Sequence, residues 1–237
     1  MSNLLQLALI LGVVIILTIT VRALYLIYNI FRGYCVLNSE NNSLKTVYCI
    51  GSGGHTTELI RVMSHLDAEK YRPRMYIMAM NDASSEVKIL DQERESTDYN
   101  IYKIPRSRNV KQSYISSVFT TLYASIYTVP IICKFKPDII FCNGPGTCIP
   151  ICLVAFLLRC IFILDCRIVF IESFCRVRTL SLSGKILQWF ADIFVIQWPQ
   201  LTNVCFRGYR HRGGCELTKL CIPSNRLSIT KNDLLKK

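Results

Sequence analysis

One stretch limits what this chain can fold into more than any other: SLKTVYCI followed directly by GSGGHTTELI, residues 43–60. Residues 45–50 place Val47, Tyr48 and Ile50 in a short apolar run of strand length. Gly51, Ser52, Gly53 and Gly54 then make a turn too flexible to prolong that strand. From Thr56 onward, Leu59, Val62, Met63 and Leu66 recur at helical spacing. Strand, Gly-rich turn and helix together open a βαβ unit. Backbone without side chains lets a ligand come close, and a helix N-terminus offers it unpaired N–H donors. The helix dipole adds about 0.3–1 kcal/mol for an anion at an exposed site. Gly51, Ser52, Gly53, Gly54 and Thr56 are therefore candidate phosphate-binding residues. A tight βα turn with no ligand would use the same residues. His55, at the helix mouth where a ligand's reacting group would sit, favours the binding reading.

Length and composition set the outer bounds. A chain of 237 residues, 51% hydrophobic, can bury one sizeable core and has room for little beyond one domain. Its formal charge of +12 is uneven. Residues 201–237 carry eight Lys and Arg against Glu216 and Asp233, a balance of +6 in a short tail. The twelve Cys form no CxxC pair and no Cys/His group with zinc spacing. Cys49, Cys142, Cys160 and Cys175 sit inside apolar runs, which reads as small buried hydrophobes in a reducing compartment.

The N-terminus is directed at a membrane. Residues 4–21 are broken only by Gln6, Gly12, Thr18 and Thr20, and after Arg22 the apolar character resumes to Phe31. That length spans a hydrocarbon core. A cleaved signal peptide would carry basic residues before the run and a small-residue cleavage site after it, and neither pattern is present. Arg22, Arg32 and Lys45 all follow the span, so the positive-inside rule puts the body of the protein in the cytosol. On that side the sequon Asn41-Asn42-Ser43 is silent. The expected organisation is a single anchor over residues 1–31, a polar linker over 32–44, a globular domain over 45–204 and a basic, disordered tail over 205–237.

Further strands are expected at 74–79, 99–104, 138–142, 167–171 and 193–197. A polar helix over 82–95 and a longer helix over 111–133 lie between them. The longer one keeps Ile115, Val118, Leu122, Ile126 and Val129 on one face. Arg106, Arg108 and Lys111 precede it, as a solvated loop or as a cationic lip facing anionic lipid or a pyrophosphate. Asn143, Gly144, Pro145, Gly146 and Thr147 make a second side-chain-poor loop between a strand and a helix. In open α/β sheets the C-terminal strand ends line the ligand crevice, so two such loops point to one site. Residues 148–164 are very apolar but interrupted by Pro150 and Arg159. That favours a core helix over a second span, with membrane-surface contact as a secondary role. Glu172 and Arg176, at the end of another strand, fit either a hydroxyl-bearing or anionic ligand or a bridge to each other. The string Ser183-Gly184-Lys185 lacks the remaining spacing of a P-loop. Alternating strands and helices throughout mean a doubly wound, mostly parallel, Rossmann-like α/β sheet.

These motifs carry a family resemblance. GSGGHTTELIRVM, NGPGTCIPIC, FIESFCRVRTLSLSGKILQW and FVIQWPQL, in that order, resemble the membrane-anchoring subunit of the UDP-N-acetylglucosamine transferase acting second in dolichol-linked oligosaccharide assembly. The likeness covers roughly residues 1–201. That family is similar to the N-terminal half of GT-B glycosyltransferases, including the bacterial enzyme that adds N-acetylglucosamine to a lipid-linked muropeptide precursor.

The resemblance implies a soluble catalytic subunit as partner, supplying the C-terminal half and most of the UDP-N-acetylglucosamine site. It implies a dolichyl-diphosphate-linked acceptor at the cytosolic face of the endoplasmic reticulum membrane, and no transferase activity for this chain alone. His55 matches the histidine of the related Gly-rich loops, where a base would deprotonate the acceptor hydroxyl; orienting a phosphate or capping the helix are its other possible roles. Imidazoles titrate near neutral pH, which suits a base. Gly51–Gly54, Thr56, Asn143, Gly144, Gly146, Thr147, Glu172 and Arg176 are the expected acceptor-binding set. No DxD motif appears, so no metal and no cofactor is expected on this chain. From Cys205 onward the sequence departs from the family's pattern, which puts docking of the partner in question. Two other classes stay open. A self-sufficient transferase would need a second Rossmann-like half, and a basic membrane-tethered scaffold would bind anionic lipid; nucleic acid is disfavoured because the tail fits no recognition module.

Overall fold

The computed structural model describes residues 2–33, 43–94, 96–108, 112–144, 146–206 and 209–210. Lys111, Pro145 and most of the expected linker and tail lie outside these residues. Seven strands form one sheet: β1 (Thr46–Cys49), β2 (Arg74–Ala79), β3 (Tyr99–Ile104), β4 (Ile139–Asn143), β5 (Arg167–Ile171), β6 (Ile193–Ile196) and β7 (Tyr209–Arg210). Their order is β3-β2-β1-β4-β5-β6-β7, and every neighbouring pair is parallel. The order reverses between β1 and β4. In an open α/β sheet that reversal opens a crevice beyond the carboxyl ends of the two strands, and the loop at 51–54 and the described residues that follow β4 lie there.

Both faces of the sheet are covered along β1, β2, β4, β5 and β6, which explains why those strands read as apolar runs without alternation, whereas the edge strand β3 is partly exposed. Val47 and Cys49 of β1 join one cluster; Tyr48 and the following Ile50 join the other. The Tyr48 side is closed by α2 (Gly54–Met63) and α3 (Ala83–Gln92) through Leu59, Val62, Met63 and Ile89. The Val47 side is closed by α1 (Ser2–Phe31), α4 (Tyr114–Phe135), α5 (Cys148–Cys160) and α6 (Leu182–Leu187). Among the nine described cysteines only Cys175 is exposed and Cys133 half-buried; the rest are buried. Burial pushes the Cys166 thiol up to about 12, so it remains a neutral, small apolar group.

Three features go beyond what the sequence leads one to expect. First, α1 is more than an anchor. Residues 4–17 are exposed apart from Gly12, which is half-buried, while Leu26 and Ile30 are buried at 4% and 1% in the domain's core cluster. The Arg22 guanidinium marks the change, 4.7 Å from the Phe162 ring centroid. Second, Ile115, Val118, Leu122, Ile126 and Val129 of α4 do share a face, but it points outward, 40–78% exposed. The packed side of α4 is small and polar: Ala124, Ser125 and Thr128, with Ile132. The hydroxyls of Ser125 and Thr128 donate to carbonyls one turn back, each at 2.8 Å. That satisfies them internally and lets the helix sit close to α5. Third, the domain does not stop at residue 204. Cys205 is buried, Phe206 stacks on Phe31 and packs on Trp189, and Tyr209–Arg210 adds a strand beside β6. The expected tail therefore begins inside the fold.

Candidate functional site

The helices differ at their N-termini. Asp82 caps α3, Ser113 caps α4 and Ser181 caps α6, each side chain accepting from a backbone N–H of the first turn. At α2 the capping position is Gly53, with φ +67° and no side-chain cap. The capping Thr147 of α5 makes no such bond either but is buried, whereas the α2 N-terminus sits behind the exposed Gly53 and Gly54, the arrangement an anion needs. Ser52, Gly53 and Gly54 are exposed, and a side-chain carbon built on Gly53 or Gly54 meets no heavy atom within 4 Å. The loop is held from beneath. Thr56 Oγ1 donates to the Gly51 carbonyl, and Lys88 Nζ donates to the Gly53 carbonyl at 3.3 Å and to Thr57 Oγ1 at 2.9 Å. Lys88, missed in the sequence, brings a positive charge to this rim.

His55 leaves the first turn of α2 half-buried, its side chain 28% exposed. Its Nδ1 lies 2.9 Å from Asn143 Oδ1, at the end of β4. Asn143, itself 1% exposed, donates from Nδ2 to Glu58 Oε2 at 2.9 Å. Glu58 also takes the Ser173 hydroxyl on Oε1 at 3.1 Å and the Phe174 N–H on Oε2 at 3.4 Å. One carboxylate on α2 therefore joins the loops after β4 and β5. Its Oε2 stands 3.9 Å from His55 Nδ1. Beneath the imidazole runs Gly144, with φ +92°, and a side-chain carbon there would fall 2.4 Å from His55 Cγ. Gly144 makes the seat of the ring. Across the crevice, a carbon on Gly146 would meet Ser107 Oγ at 2.9 Å, which brings the loop after β3 against the loop after β4.

The candidate residues thus divide. Gly51, Ser52, Gly53, Gly54, His55, Asn143, Gly144 and Gly146 come together around one crevice. Thr56 and Thr147 are buried, and Thr56 braces the loop and meets Ser85 Oγ at 2.6 Å rather than facing a ligand. Glu172 is fully buried and accepts from Ser173 N, Ser181 N and Ser181 Oγ at 3.0–3.1 Å, which shapes the loop between β5 and α6. Arg176 is exposed on that loop, and no ion pair between it and Glu172 forms among the described residues. Arg108 is engaged with the Gln112 carbonyl at 3.1 Å and the Tyr114 ring at 4.4 Å. Among the described residues no group of three His, Cys, Asp or Glu is placed to hold a metal ion.

Comparison with known proteins adds an independent observation. The family described as "Oligosaccharide biosynthesis protein Alg14 like" matches residues 46–213. A UDP-N-acetylglucosamine transferase subunit ALG14 from Rattus norvegicus is 46% identical over 185 residues, 73% of this chain and 85% of the rat protein. The subunit of the same description from Homo sapiens is 45% identical over 188 residues, 74% of this chain and 87% of the human one. Among solved structures, Acinetobacter baumannii MurG superposes with a TM-score of 0.50 at 17% identity. That match covers 66% of this chain and 42% of MurG, and it concerns the fold alone.

Proposed function

This chain belongs to the Alg14-like family of oligosaccharide biosynthesis proteins, and we propose that it is the membrane-anchoring, acceptor-binding subunit of a two-part UDP-N-acetylglucosamine transferase. The donor-binding half is then a separate soluble subunit. One Rossmann-like sheet with one crevice is half of what a two-domain transferase needs, and the chain covers only 42% of MurG. The acceptor is an N-acetylglucosaminyl diphosphate on a dolichol, presented at the cytosolic face of the endoplasmic reticulum membrane.

The observation that carries this reading is the uncapped N-terminus of α2, with His55 at its mouth, on the same body as an apolar helix of membrane-spanning length. In the reaction the acceptor hydroxyl oxygen forms a bond to the anomeric carbon of the donor sugar. The bond from that carbon to the UDP oxygen breaks, UDP leaves with the electron pair, and the hydroxyl proton passes to His55. The open backbone at Gly53 and Gly54 holds the acceptor diphosphate against the first-turn donors of α2.

The test is a transferase assay on the full chain assembled with the soluble subunit. His55→Ala is expected to lower kcat by about 10²–10⁴-fold with little change in acceptor KM. Gly54→Val is expected to raise the acceptor KM, because the position is open to the crevice and no protein atom opposes the new side chain. Turnover by the pure chain alone, or wild-type kinetics in both variants, would overturn the proposal.

A further inference from the structure

The hydrogen bonds behind His55 have a direction, and it can be worked out from donors that have no choice. A backbone N–H only donates. The Cys175 N–H donates to Ser173 Oγ at 3.3 Å, which leaves the Ser173 hydroxyl proton for Glu58 Oε1, 3.1 Å away. The Phe174 N–H donates to Glu58 Oε2 at 3.4 Å. Both carboxylate oxygens of Glu58 are therefore acceptors. An acceptor facing the Asn143 amide selects its NH2 group, at 2.9 Å, and so turns the amide carbonyl toward the imidazole. A carbonyl oxygen accepts only, so the nitrogen 2.9 Å from it, His55 Nδ1, carries the ring proton. The remaining nitrogen, Nε2, then holds a lone pair, and it has no hydrogen-bond partner among the described residues.

We propose that Glu58 and Asn143 are positioning residues that fix the neutral His55 ring with its proton on Nδ1, leaving Nε2 as the proton-accepting atom toward the acceptor site. The inference rests on the transferase reading for what Nε2 accepts, but the tautomer follows from the geometry alone. Two further observations fit it. Gly144 lies directly under the ring, so close that a side-chain carbon there would fall 2.4 Å from His55 Cγ, and backbone supports the imidazole on that side. Glu58 Oε2, 3.9 Å from Nδ1, places a negative charge beside the imidazolium that proton uptake creates. The first turns of α2 and two loops far from it in sequence are thereby wired to one tautomer.

The experiment is long-range proton–nitrogen NMR on the full chain in detergent, with nitrogen-labelled histidine. Only three histidines are present, and His65→Gln and His211→Gln assign the remaining signal to His55. With the imidazole neutral, the wild type is expected to show a proton on Nδ1 and a bare Nε2. Glu58→Gln keeps the size of the side chain but offers Asn143 both a donor and an acceptor, so both tautomers are expected in exchange. The double variant Glu58→Gln with Asn143→Asp swaps amide and carboxylate and is expected to restore the Nδ1 proton, an outcome that mere loosening of the fold does not produce. A wild-type proton on Nε2, or a Glu58→Gln spectrum identical to wild type, would overturn the proposal; the wild-type spectrum decides even if a variant fails to fold. Turnover separates this from the base reading. If His55→Ala keeps its kcat in the assembled enzyme while the Nδ1 tautomer is observed, the base assignment fails and the positioning network stands.

Discussion

Gly144 shows how closely the site is built around one ring. Any side chain there collides with His55 at 2.4–2.9 Å, and φ +92° is a backbone conformation that other residues adopt at a cost of about 1–3 kcal/mol. Gly144→Ala is accordingly expected to displace the imidazole, lowering kcat in the assembled enzyme at least about tenfold, with the strain read separately as a lower melting temperature. At this scale the sequence was legible in type but not in direction. The two Gly-rich loops and His55 stand out by composition, whereas Thr56 and Glu172 turn inward, which spacing along a chain does not reveal. Glu58 went unread although it lies three residues after His55, on the same helical face. Its partners are 85 to 116 positions away, so its role appears only once the loops after β4 and β5 are brought to it.

Strands were the easiest elements to read, because burial on both faces leaves a continuous apolar run bounded by turns. The direction of a helix face was harder. An apolar stripe such as Ile115 to Val129 is the same whether it meets the sheet or points away from it, and in α4 it points away. What marks the packed side is a row of small residues that bond their hydroxyls locally. The interruption of α5 by Arg159, which argued against a second membrane span, has its own explanation. Arg159 forms a two-pronged pair with Asp192 at 2.8 and 3.0 Å, both side chains buried, and Asp192 also accepts from the Ile168 N–H at 2.8 Å. The pair ties α5 to the turn before β6 and to the start of β5. Arg159→Met leaves a buried carboxylate without its cation and is expected to cost about 3–5 kcal/mol, seen as a melting temperature roughly 6–20 °C lower. A shift of a degree or two would mean that the site collapses or hydrates around Asp192.

On the scale of the whole molecule, the boundary between anchor and domain runs through the middle of α1. Removing residues 1–21 is expected to release a folded domain into the soluble fraction, because Leu26 and Ile30 remain to fill the core. Removing residues 1–31 empties those positions and strips Phe31 from Phe206 and Trp189, and the product is expected to aggregate. Fractionation and size-exclusion chromatography of the two truncations distinguish a docked helix from a flexible leash, which predicts equal solubility for both. Docking also fixes how substrate is met. In the anchoring role proposed above, a helix that is apolar solvent-facing surface at one end and domain core at the other is a strut, holding the crevice at a set height and tilt above the bilayer. For the lipid-borne acceptor proposed above, encounter then becomes a search in two dimensions, fed by lateral diffusion within the leaflet. The governing concentration is the mole fraction of acceptor among lipids and not its amount per volume. Diluting proteoliposomes with plain phospholipid, at constant bulk amounts of enzyme and acceptor, should therefore slow turnover in proportion below saturation, while diluting the same vesicles with buffer should leave the rate per enzyme unchanged.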